Sequence, residues 1–133
     1  MGAIIDIGAH RMIHIDGVKK LHGVEHEVLA DRNEAVSFAC LAVATSGDIF
    51  VKGANQEYLI TFLSALRRAG AEYEVLNSGI RFWRPGRLIA TNIETDTHPG
   101  FMTDWQQPFA VMLTQAQGQS GIHETIYEDR FGY

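Results

Sequence analysis

Two segments of this sequence concentrate residues that do chemistry. The denser is Glu94-Thr-Asp-Thr-His-Pro-Gly-Phe-Met-Thr-Asp104, a polar stretch that leads into a helical pattern. Backbone N–H groups at a helix N-terminus lack intrahelical partners and attract anions such as phosphate. Asp104 in that position has the chemistry of a general base, with His98 as a polar or acid partner. The helix dipole opposes that role, so desolvation or a nearby anion must restore the basicity. A plainer account also fits: Asp104 helps to cap a helix and His98 is an ordinary loop residue. Spacing alone favours the plainer account.

The second segment is Glu124-Thr-Ile-Tyr-Glu-Asp-Arg130. An aromatic ring and an arginine together can hold a base and a phosphate. An edge strand running into a charged turn is again the plainer account.

Other reactive residues point nowhere in particular. His10 and His14, like His22 and His26, are spaced four apart. That spacing suits a metal on a helix, but both pairs fall in strand or turn sequence, so no metal is expected. Cys40 lies between Phe38 and Leu41 with no basic neighbour in sequence, which reads as a buried, inert thiol. Patterns of the GxSxG, GK[ST], GxGxxG and CxxC types are absent.

The elements that must position these residues follow from periodicity and punctuation. Ile4 to Ile7 and Arg11 to Ile15 read as strands, Asp16-Gly17 as a hairpin turn, and Glu25 to Leu29 as a strand that pairs nearby. Asp31 is a good helix N-cap, with Glu34 three residues on in capping-box fashion. Ala35, Phe38, Leu41 and Ala42 follow at helical spacing, and Ser46-Gly47-Asp48 ends the helix. Asp48 to Lys52 reads as a strand. A second helix carries the stripe Tyr58, Leu59, Phe62, Leu63 and Leu66, ending in Arg67-Arg68 with Gly70 as C-cap. Strands are expected at Glu72 to Leu76, Ile80 to Trp83 and Leu88 to Glu94. A third helix spans Thr103 to Ala116, capped by Thr103 with Gln106, and a strand runs from Ile122 to Ile126.

Two helices repeat a spacing. Phe38 and Phe109 lie 71 positions apart, and each precedes a glycine (Gly47, Gly118) by nine residues and then a strand. The period is a whole supersecondary unit of order β-α-β-α-β-β. The chain holds one complete unit, the tail of one before it and the first half of another.

Length and composition agree with one ordinary domain: 133 residues, 46% hydrophobic and 20% charged. Disorder, a collagen-like fibre and a disulfide scaffold are excluded. Eleven basic against sixteen acidic residues give a net charge of −5. The only basic cluster, Arg81, Arg84 and Arg87, reads as an arginine-flanked turn, and no nucleic-acid partner is expected. A single cysteine suits a reducing cytoplasm. No apolar run approaches the roughly 20 residues of a membrane span, no basic stretch opens a signal peptide, and Asp6 stands where a myristoylation signal wants Ser or Thr. The expectation is a cytoplasmic chain with no membrane partner.

His98-Pro-Gly-Phe-Met-Thr-Asp-Trp-Gln-Gln107, Gly118 and His123-Glu-Thr-Ile-Tyr-Glu-Asp-Arg-Phe131 together resemble the UDP-N-acetylglucosamine 1-carboxyvinyltransferase family of enolpyruvyl transferases. So do Leu21-His-Gly-Val-Glu-His26, Asp31-Arg-Asn-Glu-Ala35 and Arg68-Ala-Gly-Ala-Glu72, and the resemblance runs along essentially the whole chain. It implies an α/β (α+β) fold, an inside-out α/β barrel of β-α-β-α-β-β repeats packed helices-inward, here partial. Residues 1–29 then end one domain and 30–133 form about half of the second.

The resemblance implies transfer of the enolpyruvyl group of phosphoenolpyruvate to the 3-hydroxyl of UDP-N-acetylglucosamine, opening peptidoglycan synthesis with no cofactor or metal. Asp104 matches the family's general base and sugar-hydroxyl ligand, Thr103 a substrate contact, and His98 lies nearby. Ile126, Tyr127 and Arg130 match the segment holding the uridine diphosphate end, and Asp31 and Arg32 an interdomain pair. Met102 departs from the family's proline, which implies a less rigid loop before Asp104. The family's Lys-Asn pair, its reactive-cysteine loop and its phosphoenolpyruvate-binding arginines have no match here. The isolated chain is therefore expected to be inactive and to self-associate through exposed strand edges. A shikimate-pathway enolpyruvyl transferase, an RNA 3′-terminal phosphate cyclase-like enzyme and a noncatalytic binding module are the competing readings. Tyr127 and Arg130 speak against the first, and the acidic balance against the second.

Overall fold

The computed structural model describes residues 1–10 and 12–133 in full, and Arg11 by its backbone alone. Strands β1 (Ile4–Ile7) and β2 (Ile13–Asp16) form an antiparallel hairpin in which Ile4 faces Asp16 and Ile7 faces Ile13. Its turn spans residues 8–12, closed by the Gly8 N–H donating to the Met12 carbonyl at 2.8 Å. The turn expected at Asp16-Gly17 does not form, because no strand follows for β2 to pair with. Residues 25–29 are likewise unpaired.

Helix α1 (Arg32–Ala44) starts where the sequence says, with the Asp31 carboxylate accepting the Asn33 N–H at 2.7 Å. Its buried face is Ala35, Val36, Ala39, Cys40, Ala42 and Val43, whereas Phe38 and Leu41 are 47% and 57% exposed. This corrects the predicted stripe. The helix is apolar nearly all round, so periodicity alone could not orient it, and the small side chains occupy the side that packs against β3, β5 and α3.

Strand β3 (Asp48–Lys52) follows, then α2 (Ile60–Arg68), β4 (Glu72–Leu76) and β5 (Gly79–Trp83). The three strands form one antiparallel sheet of order β3-β5-β4. Gly70, at φ +86°, ends α2, with its N–H donating to the Arg67 carbonyl and that of Ala71 to Leu66. A left-handed residue costs glycine least, as the sequence predicts.

The strand expected over 88–94 is two short ones, β6 (Leu88–Ile89) and β7 (Ile93–Glu94). A 3₁₀ turn at Thr103–Trp105 leads into α3 (Gln106–Leu113), a helix shorter than predicted. Strands β8 (Ala116–Gln117) and β9 (Ile122–His123) then pair in parallel with β6 and β7 respectively. The β-α-β crossover through α3 makes those parallel pairings possible.

The core gathers around Phe62 of α2. Its ring meets Phe82, Trp105 and Phe109 edge-on at 6.4, 6.0 and 6.1 Å, and Phe101 stacks edge-on against Trp105 and Phe109. Each such pair adds about 0.5–1.5 kcal/mol to the burial of its rings. This cluster sets α3, and hence the turn before it, against α2 and β5.

Candidate functional site

The sequence-predicted site residues gather at one end of the molecule, where α1 and α3 both begin. The two helix starts are tied by the Trp105 indole N–H, which donates to the Asn33 side-chain carbonyl at 2.9 Å. Asn33 is adjacent to Arg32, and Trp105 to Asp104, so one bond aligns the two halves of the site.

The first half is Asp31, Arg32 and His98. Asp31 is committed to capping α1. The Arg32 guanidinium lies 3.3 Å from His98 Nδ1. Arginine only donates, so His98 accepts at Nδ1 and carries its proton on Nε2. His98 stands on a tight turn, 96–101, in which the Asp96 N–H donates to the Phe101 carbonyl and the His98–Pro99 peptide is cis. The Thr61 hydroxyl donates to the Gly100 carbonyl at 3.0 Å and pins that turn to α2. A Cβ on Gly100 would collide with that of Asp96, so the turn closes only around glycine.

The second half is Asp104, Tyr127 and Arg130. Arg130 donates to Asp104 Oδ1 at 2.7 Å. Its guanidinium also lies 5.2 Å from the centre of the Tyr127 ring, within cation–π range. Asp129, at φ +55°, turns the chain back so that Arg130 reaches Asp104. Asp104 does not cap α3. Its carboxylate is held by a residue distant in sequence and remains half exposed.

Thr103 and Ile126 are drawn inward by a residue that sequence reasoning passed over. Glu124 accepts the Thr103 hydroxyl at 2.8 Å and the N–H groups of Ile126 and Tyr127 at 2.8 and 3.1 Å. It also accepts the side-chain amide of Gln106, which is fully buried. Burial raises the Glu124 pKa, but the bonds from Thr103, Ile126 and Tyr127 outweigh it and hold the carboxyl below the ordinary glutamate range. With those N–H groups engaged, Ile126 and Tyr127 can meet a ligand only through carbonyls and side chains. The available signal was Glu124 itself, two and three residues before backbone amides that a carboxylate can cap, as in an Asx-like turn.

The arginine cluster serves elsewhere. Arg81 pairs with Asp48 at 2.5 Å, across β5 and β3, and with Glu74. Arg84 donates to the Ser46 hydroxyl. A polar cleft of about 460 Å³ there is lined by Ser46, Arg84, Arg87, Gln115 and Gln117. It lies where α1 and α3 end, and neither helix has a basic residue in its last turn. Cations at a helix C-terminus complement its dipole, which accounts for these arginines without a ligand. Cys40 is buried, and burial pushes its thiol well above the ordinary range. Among the described residues no three His, Cys, Asp or Glu side chains converge as metal ligands, and no helix is long and apolar enough to cross a membrane.

The sequence model of the EPSP synthase (3-phosphoshikimate 1-carboxyvinyltransferase) family matches residues 1–133. The UDP-N-acetylglucosamine 1-carboxyvinyltransferase of Protochlamydia amoebophila is 50% identical over 100% of this chain, which spans 29% of that protein. The protein of the same name from Chlamydia pneumoniae is 50% identical over 99% of the chain, again 29% of its own length. That from Azorhizobium caulinodans is 42% identical over 98%, and 31% of it is covered. The chain thus spans about three tenths of the curated relatives it matches. Among solved structures, the enolpyruvyl transferase NikO from Streptomyces tendae superposes with a TM-score of 0.80 at 23% identity, over 98% of this chain and 32% of that one. The expected α/β fold is thereby shown, as part of an enolpyruvyl-transferase fold.

Proposed function

The chain belongs to the EPSP synthase family, and on that premise we propose that it is one part of a UDP-N-acetylglucosamine enolpyruvyl transferase. The observation that carries this reading is the junction of Asp104 with Arg130 and Tyr127, from two segments whose residues match that enzyme's motifs. In the reaction the sugar 3-hydroxyl oxygen bonds to C2 of phosphoenolpyruvate while C3 gains a proton. The tetrahedral adduct then loses a proton from C3 as the C2–O bond to phosphate breaks, and inorganic phosphate leaves.

Asp104 receives the hydroxyl proton. Its Oδ1 is engaged by Arg130, which leaves Oδ2 to take that proton. Arg130 and Tyr127 hold the uridine diphosphate end, the guanidinium on phosphate oxygens and the ring against the base. Thr103 and Ile126 shape the contact between these two ends. Arg32 and His98, with Asp31 behind them, close the other side. Residues 1–29 end one domain and 30–133 form about half of the next. The family-level match takes its description from a shikimate-pathway reaction, but the relatives 50% identical to this chain are named for the UDP-sugar, and these support the UDP-sugar as acceptor. The same reading assigns the protein to peptidoglycan synthesis in the cytoplasm. It also leaves the 133-residue chain without turnover by itself and prone to self-association through the apolar hairpin.

Calorimetric titration of the chain with UDP-N-acetylglucosamine tests the assignment. Saturable binding that Asp104→Ala and Arg130→Ala each weaken at least tenfold is expected. Binding indifferent to both changes would place the nucleotide sugar elsewhere and overturn the roles of both residues.

A further inference from the structure

We infer that Glu124 is the positioning residue of this site, one carboxylate that locks the Asp104 turn and the 126–130 segment into a single register. The inference uses the transferase reading only for the ligand's identity.

The two oxygens divide the work. Oε1 accepts the Ile126 and Tyr127 N–H groups, and Oε2 accepts the Thr103 hydroxyl and the Gln106 amide. Thr103 adjoins Asp104, while Tyr127 lies beneath the guanidinium that binds Asp104. Each oxygen therefore serves one segment, and a single side chain fixes the distance between them. Gln106 cannot turn to water, since it is fully buried, and the Tyr133 hydroxyl donates to its carbonyl at 3.0 Å. Its amide nitrogen is thereby aimed at Glu124.

Only glutamate meets all four donors. Glutamine has one acceptor oxygen, so it serves one segment and sets its own NH₂ against a donor on the other. Aspartate keeps the charge but is one methylene shorter, and reaches one segment only. Bonds to a charged acceptor are roughly twice as strong as neutral ones, and a buried donor left unpaired is costly. The register is consequently lost with either change. The exchange Glu124→Gln with Gln106→Glu preserves it: the amide then at position 124 caps Ile126 and Tyr127 through its carbonyl, and its two N–H groups donate to the carboxylate then at position 106 and to the Thr103 hydroxyl, which turns to accept.

Two measurements test this. In the isotope-labelled 133-residue chain, the Arg130 guanidinium Nη–H resonance reports its pairing with Asp104, which runs through Nη2. It should shift in Glu124→Gln and in Glu124→Asp, and return in the exchanged double variant. In the complete protein, both single variants should lower kcat at least tenfold, and up to about 100-fold, as expected when reacting groups are misplaced by about 1 Å. The KM for phosphoenolpyruvate should stay within about threefold, and the double variant should recover most of kcat. An unmoved Arg130 resonance in a folded Glu124→Asp chain, or wild-type kcat in that variant, overturns the inference. A complete protein with no transferase activity would sink the proposed function instead, and the Arg130 resonance would still decide the role of Glu124.

Discussion

The hairpin of β1 and β2 and the sheet of β3, β5 and β4 are built by the same local rules and end in opposite situations. Both are antiparallel, with regular register and alternating side chains. All eight strand residues of the hairpin are exposed, including Ile4, Ile5, Ile7, Ile13 and Ile15. In the sheet, Ile80 and Phe82 are completely buried under α1 and α2. Alternation and turn closure are enough to form a ladder, but burial requires a second layer, and a lone two-stranded hairpin is marginal in water. Among the described residues the buried core begins only at Ala35.

The sharpest way to separate the two regions is to remove a ring from the centre of the packed one. Phe62→Ala should cost about 3–5 kcal/mol of unfolding free energy in a denaturant titration, because it strips the partner from three aromatic contacts. A loss below about 1 kcal/mol would mean that this cluster does not hold residues 31–133 together. The boundary between the regions is next. Asp31→Ala removes the N-cap of α1 and should cost about 1 kcal/mol, read in the same titration. The smallest effect belongs to the hairpin. Ile5→Ala and Ile15→Ala, which face each other across the ladder, should each change stability by less than about 0.5 kcal/mol. A cost near that of a core isoleucine would break the comparison and show that the hairpin face is covered in solution, as self-association would cover it.

Much of the fold was legible because several signals agreed. Asp31 as cap, Gly70 as terminator, and Arg67 and Arg68 in the last turn of α2 each had local physics on its side. Where local and distant partners competed, the distant ones won. Thr103 and Gln106 have the spacing of a capping box, yet both side chains bond Glu124. Asp16-Gly17 has the composition of a hairpin turn, but the chain turns instead over residues 8–12, with His10 at φ +57°. The 71-residue repeat was also half legible. Phe109 is buried and Phe38 is exposed, so equivalent positions in the repeat do not share an environment. For the site, the sequence marked Asp104 and Arg130 separately, and only the fold brings them to 2.7 Å.

The bond from Trp105 to Asn33 has an optical consequence. The chain has two tryptophans. Trp105 is 1% exposed, with its indole N–H engaged beside Asp104, while Trp83 lies half-covered at the end of β5 with Arg81 near its ring. A collisional quencher in solution therefore reaches Trp83 first and leaves a blue-shifted residual emission from Trp105. That residual signal is an intrinsic, label-free reporter of whether the starts of α1 and α3 stay joined, and of any ligand that settles against Asp104.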